Sequence, residues 1–165
     1  MHNFKESLKK SMQDQQWFHR FYYSMWPDCR LETITNIDEQ KTGIDTRIHF
    51  INGRSHGAEE KFRPINKKYS AGEDLCLEYL SSKEHNTPGW IVKKQQANLL
   101  LYGWEELNTC LCMDYKQLQD QFAFNGEQWK KDHRIVIAPN QGYKTLSVAV
   151  PLAVILPHVK HRWLV

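Results

Sequence analysis

The sequence predicts an α/β protein in which a mixed β-sheet is flanked by helices. Two observations carry this expectation. Apolar residues recur at helical spacing near the N-terminus and again over residues 115–124, and several segments between them alternate apolar and polar residues as half-buried strands do. A length of 165 residues with 41% hydrophobic content suits one domain, spanning 1–165, around a single core.

Phe4, Leu8 and Met12 stand four apart, so a helix is expected from residue 3 to about residue 25, ended by Pro27. Its second half carries Trp17, Phe18, Phe21, Tyr22, Tyr23 and Trp26, too many rings for one narrow stripe; some must be exposed or meet a partner. Residues 43–51 read as a strand, because Ile44, Ile48 and Phe50 alternate with Asp45, Arg47 and His49. A returning strand follows Asn52-Gly53 and carries Glu59-Glu60-Lys61. If Ile51-Asn52-Gly53 is a three-residue loop with Gly53 left-handed, Phe50 pairs with Arg54 and Asp45 falls opposite Glu59. A two-residue turn sets Asp45 opposite Glu60 instead, since a slip of one residue exchanges the two faces. The first register is preferred. It collects Asp45, Glu59 and Lys61 on the polar face and leaves Ala58 and Phe62 for the apolar one.

Residues 64–73 read as a polar, lysine-rich loop near this hairpin, and 74–80 as a third strand with Leu75 and Leu77 on one face and Cys76 and Glu78 on the other. Residues 81–88 are rich in turn formers and lack periodicity. A basic, amide-rich stretch over 91–96 leads into two strands, 99–104 and 109–114, around a Glu-Glu-Leu-Asn turn. A helix over 115–124 places Leu118 and Phe122 on one face, with Asn125-Gly126 as its stop. A strand over 143–150 and a short helix over 152–158, opened by Pro151, complete the order.

Two carboxylates and a lysine on one hairpin are the minimum equipment for metal-assisted hydrolysis of a phosphodiester. Magnesium takes hard oxygen ligands, commonly one or two protein carboxylates with water and phosphate oxygens around them. A nearby ammonium offsets charge growing on the phosphoryl group and helps orient or deprotonate the attacking water. The same residues also suit a cross-strand salt bridge on a solvated sheet face, the commoner arrangement on composition alone. Glu78 is a further carboxylate for ligation or water orientation, or a structural ion pair.

The series Gly43-Ile44-Asp45, the Asn-Gly hairpin, Glu59-x-Lys61, Asp74-Leu-Cys-Leu-Glu78-Tyr and Pro88-Gly-Trp-Ile91 resembles the PD-(D/E)XK nuclease superfamily. More closely, it is similar to a group of small phage and prophage proteins of that superfamily. The likeness runs from about Thr42 to Phe122 and more faintly from Gly142 to Leu156. It implies a restriction endonuclease-like core and a magnesium-dependent DNA nuclease, with manganese as a substitute, of phage, prophage or mobile-element origin. In that resemblance Asp45 is the first metal-binding aspartate, with Ile44 where the name-giving proline would stand. Glu59 is the second acidic ligand, the carbonyl of Glu60 a further one, and Lys61 the motif lysine. Glu6, in the first helix, and Gln95 or Gln96, after the third strand, fill auxiliary positions used by some members. Cutting both strands of a duplex would call for two sites and hence a homodimer.

A net charge of +3 permits nucleic-acid binding without demanding it. Arg63, Lys67, Lys68, Lys93 and Lys94 flank the hairpin and are the candidate DNA contacts, through phosphates and therefore without sequence preference. Four cysteines show no framework spacing, and neither an apolar signal segment nor a bilayer-long apolar run is present, so free thiols, a cytoplasmic setting and no membrane partner are expected. Zinc held by Cys110, Cys112, His158 and His161 is disfavoured, because the two cysteines share a strand face and lack the C-x-x-C reach. Neither a P-loop nor a Ser-His-Asp signature is evident. Two other classes remain: a catalytically inert nuclease-like module that binds DNA or protein, and a structural protein of a phage particle.

Overall fold

The computed structural model describes residues 4–63 and 72–165, with side chains for all of these except 4–13, 15 and 37. Helix α1 (Phe4–Met25) leads into strand β1 (Arg30–Thr33), the short α2 (Ile37–Gln40), β2 (Thr46–His49) and β3 (Ser55–Arg63). Next come β4 (Asp74–Ser82), β5 (Thr87–Pro88), β6 (Leu99–Trp104), β7 (Thr109–Asp114) and helix α3 (Tyr115–Asp132). The chain ends with β8 (Arg134–Asn140), β9 (Tyr143–Pro151), α4 (Leu152–Ile155), a 3₁₀ turn (Leu156–His158) and β10 (His161–Leu164). The strands form two sheets. A six-stranded mixed sheet runs β1-β2-β3-β6-β7-β10, and a four-stranded antiparallel sheet runs β5-β4-β9-β8. The fold class is therefore mixed α/β, with two sheets where the sequence led us to expect one.

Parallel pairing of β3 with β6, from Ala58↔Leu99 to Arg63↔Trp104, is the only parallel contact among the described strands. The chain between those two strands travels through β4 and β5 of the second sheet. Both faces of β6 and β7 are covered, which explains their continuous apolar character. Leu101, Cys110 and Cys112 pack under α1 with Phe18, Phe21, Tyr22, Ile48 and Ala58. Leu100, Tyr102, Leu111 and Met113 face the other way, toward Leu75, Leu77, Val148 and Val150 of the second sheet and Leu118 and Phe122 of α3.

The aromatic run of α1 divides accordingly: Phe18, Phe21 and Tyr22 are buried, Trp17 and Trp26 half-buried, and Tyr23 exposed. All four cysteines are free, and burial pushes the Cys112 thiol up to about 12. No helix among the described residues is long and apolar enough to cross a membrane.

Several boundaries moved. Strand β2 begins at Thr46, not at residue 43, because residues 41–43 form a turn. Helix α3 continues past Asn125-Gly126 to Asp132, since its buried stripe of Tyr115, Leu118, Phe122 and Gly126 extends one turn further to Trp129, whose ring meets Phe122. The sequence reading contains no counterpart for β1, α2, β8 and β10, and β5 falls within the segment read as turn-rich.

Candidate functional site

The β2–β3 hairpin sets the site. Thr46 pairs with Ala58, Ile48 with His56 and His49 with Ser55; the Phe50 amide donates to the Arg54 carbonyl at 2.9 Å, and Gly53 has φ 78°. This is the three-residue loop and the preferred register, for which a residue tolerating positive φ is needed at position 53. The regular ladder stops at Thr46, so the expected pairing of Asp45 opposite Glu59 is not made. The Asp45 amide also donates to the Ala58 carbonyl, at 2.8 Å, so Asp45 and Thr46 share one partner residue, as in a bulge. The Asp45 carboxylate turns back onto β3, where its Oδ2 accepts the Glu60 amide at 2.8 Å.

Asp45, Glu59, Glu78, Gln95, Trp90 and Lys93 line one open cleft of about 200 Å³. Each is delivered by a different constraint. Strand alternation on β3 puts Glu59 and Lys61 on this face. Glu78 comes from β4, and the Pro88-Gly89-Trp90 segment is fastened beside it, with the Ile91 amide donating to the Glu78 carbonyl at 3.2 Å. A Cβ on Gly89 would overlap that carbonyl, so the close approach requires glycine. Tyr115, at the start of α3, donates its hydroxyl to the Trp90 carbonyl at 2.8 Å and braces the wall from beneath.

Electrostatically the cleft alternates in sign. Lys61 Nζ is ion-paired with the Glu59 carboxylate and lies 5.7 Å from the centroid of the Trp90 ring. Burial pushes the Glu59 carboxyl above its ordinary value; Lys61 opposes that rise and Asp45 adds to it. Burial likewise raises Glu78, again opposed by Lys61. The carboxamide oxygen of Gln95 is buried without a hydrogen-bond partner. Hard oxygen donors, a buried carboxylate whose charge is poorly solvated and an orphaned amide oxygen together fit a small divalent cation. Among the described residues no group of three or more His, Cys, Asp or Glu side chains is arranged to hold a metal, so solvent or phosphate oxygens would complete the shell.

The other anticipated residues scatter. The Glu60 side chain lies on the opposite face of β3, where Oε1 accepts from the hydroxyls of Tyr22 and Thr46, each at 2.8 Å. Gln96 is exposed and outside the cleft, its amide donating to Thr42. Arg63 is half-buried against the Tyr102 hydroxyl and ring, not turned outward toward a phosphate. Lys93 reaches the cleft, whereas Lys94 does not line it. Lys67 and Lys68 lie outside the described residues, as does the side chain of Glu6. Nothing in the sequence marks Trp90 as a wall beyond its place in the Pro-Gly-Trp segment, or Tyr115, which reads simply as the first apolar residue of a helix.

The fold and the cleft define a mixed α/β protein with a carboxylate–lysine site at the start of a β-hairpin. Comparison with protein families, with curated proteins and with solved structures yields no match.

Proposed function

We propose that the protein is a metal-dependent deoxyribonuclease on a restriction endonuclease-like core, serving a phage or mobile element. The observation that supports this most is the meeting of Asp45, Glu59, Glu78, Gln95 and Lys93 in one cleft, with Lys61 ion-paired to Glu59. A bare cross-strand salt bridge would not need Glu78, Gln95 and Trp90 gathered around it.

Asp45 and Glu59, with the Glu60 carbonyl, would hold a magnesium or manganese ion, which when bound would supply Lewis-acid activation of the phosphoryl oxygen and of water. Lys61 offsets the negative charge that grows on the phosphoryl oxygens. Gln95, whose side chain lines the cleft beside these carboxylates, would help to orient the attacking water in line with the leaving oxygen. Glu78, with its carboxyl raised by burial, takes the water's proton once ionised, and the leaving oxygen, as its bond to phosphorus breaks, takes a proton from solvent in the open cleft. Lys93 holds a neighbouring phosphate.

The test is cleavage of labelled linear, branched and single-stranded DNAs with magnesium or manganese, for the wild type, Asp45→Ala and Lys61→Ala. Metal-dependent cleavage lost in both variants is expected. The metal should also raise the melting temperature of the wild type but not of Asp45→Ala, because a ligand bound only by the folded state stabilises it. Absence of cleavage with DNA binding unaltered by the substitutions would replace the proposal with an inert binding module. Affinity for neither metal nor DNA would favour the structural particle protein.

A further inference from the structure

A second and larger cavity, of about 590 Å³, lies on the far side of the wall that closes the carboxylate cleft. Tyr79, Ile91, Val92 and Phe122 supply apolar and aromatic lining, and Lys93 lines both spaces. The partition is the turn that follows Gly89, with Trp90 facing the cleft and Ile91 and Val92 facing the cavity. That turn is held from three sides. The Lys93 amide donates to the Gly89 carbonyl at 2.9 Å, the Tyr115 hydroxyl to the Trp90 carbonyl at 2.8 Å, and Gln119 Nε2 to the Lys93 carbonyl at 2.8 Å. The cavity is therefore preformed, and its volume lies in the range of roughly 300–1,000 Å³ that small organic ligands occupy.

Its charges point to an anionic occupant. The two acids on its rim are already neutralised within α3, Asp120 by Lys116 and Glu127 by Lys130. Lys130 Nζ also lies 5.1 Å from the centroid of the Tyr79 ring. Lys93 and Lys94 form no ion pair among the described residues and remain as exposed cations at the mouth. Val92 is 53% exposed there, an apolar side chain facing solvent between the cleft and the two lysines.

We propose that this cavity is the subsite for one unpaired nucleobase of a DNA strand whose adjoining phosphates lie on Lys93 and Lys94. This rests on the nuclease reading above and adds the substrate class: a strand with unpaired nucleotides, single-stranded or flapped, in preference to continuous duplex. A base in a duplex is stacked and paired and must be extruded before it can enter a side pocket, whereas an unpaired base enters with little unstacking. The lining has the rings of Tyr79 and Phe122 and the aliphatic walls of Leu80, Ile91 and Val92; of its polar side chains, the two acids are already engaged by Lys116 and Lys130, which leaves the amides of Asn86 and Gln119 as the neutral groups able to meet a base edge. Recognition is then by stacking and apolar contact, tolerant of sequence.

The test is anisotropy titration of the full-length chain, in chelator, with three labelled probes: a short oligodeoxythymidine, the same backbone carrying abasic residues, and a blunt duplex. The wild type should bind the oligodeoxythymidine about tenfold more tightly than the abasic probe, as expected for one stacked base. Ala123→Trp, which fills the cavity from an exposed position of α3, should remove that difference and leave the abasic probe's affinity within about twofold. Lys94→Glu should weaken both single-stranded probes. Equal binding of the base-bearing and abasic probes by the wild type overturns the proposal, and that comparison stands even if Ala123→Trp fails to fold. So does an Ala123→Trp variant that folds and keeps the tenfold difference. Because binding is read without metal, cleavage with no base-dependent affinity refutes the pocket alone, and base-dependent affinity without cleavage refutes the nuclease reading alone.

Discussion

Replacing Glu60 by glutamine should flatten the dependence of stability on pH and, in alkali, make the protein more stable. On the α1 side of β3 the Glu60 carboxyl accepts from the Tyr22 and Thr46 hydroxyls. Burial, followed by the charge of Asp45, pushes its value from 4.5 up to about 8, against the pull of those hydroxyls. An acid whose folded value is raised binds its proton more tightly in the native state. Its favourable contribution is complete below pH 4.5, declines as pH rises and is gone above about 8. At about 1.4 kcal/mol per pH unit, the decline reaches about 3 kcal/mol at neutrality and about 5 kcal/mol in alkali. Glutamine keeps an oxygen for both hydroxyls and does not titrate, but its buried amino group needs an acceptor, a cost of about 1–3 kcal/mol. Glu60→Gln is thus expected to be less stable than the wild type near pH 5 and more stable, by about 2–4 kcal/mol, near pH 9.

Urea unfolding followed by tryptophan fluorescence, in chelator across that range, measures the crossing. All other titrating groups are common to the two proteins, so the difference between their curves isolates Glu60. Curves that run parallel from acid to alkali would refute the reasoning, because they would mean that the Glu60 proton is held no more tightly in the folded chain than in the unfolded one.

Lys61→Met removes the partner of Glu59, whose side chain is only 7% exposed; we expect a loss of about 2 kcal/mol near pH 8, discounted from a fully buried pair because Lys61 is 29% exposed. The loss should shrink near pH 5, where Glu59 can take a proton, as thermal melts at the two pH values will show. Gly89→Ala should cost about 2 kcal/mol in urea midpoint and depress cleavage, since the new Cβ meets the backbone of Glu78 and must push the Trp90 wall outward. Tyr102→Phe leaves the Arg63 guanidinium and the Cys76 amide, 3.1 Å away, without their shared oxygen, and should destabilise by about 1–3 kcal/mol in the same assay.

Local chemistry made much of this legible in the sequence. The bounds of β6 and β7 follow from uninterrupted apolar residues around a polar turn, and the hairpin register from one glycine and the need to bury Ala58 and Phe62 together. What escaped depends on distant partners. His161-Arg162-Trp163 has no strand pattern of its own, yet it is a strand because β7 offers it a free edge and Trp104 offers its ring a stack at 5.6 Å. Asn125-Gly126 reads as a helix stop, yet burial of Trp129 outweighs the local signal. Gln95 and Gln96 are indistinguishable in sequence; only the turn geometry puts the first in the cleft and the second in solvent.

Glu59 and Glu60 are adjacent and chemically alike, and strand alternation alone assigns them opposite environments: one beside Lys61 in an open cleft, the other beneath α1. A slip of one residue would send Glu59 under the helix and Glu60 into the cleft. Three features oppose it. Gly53 fixes the loop length, Ala58 and Phe62 would lose their place against Phe18 and Phe21, and the Asp45 carboxylate would lose the Glu60 amide it accepts. That last bond joins the site to the register. The aspartate at the mouth of the cleft is also the group that caps β3 at the point where its pairing with β2 ends, so Asp45→Asn, which still offers an oxygen to the amide, should preserve the fold better than Asp45→Ala while both lose metal-dependent stabilisation.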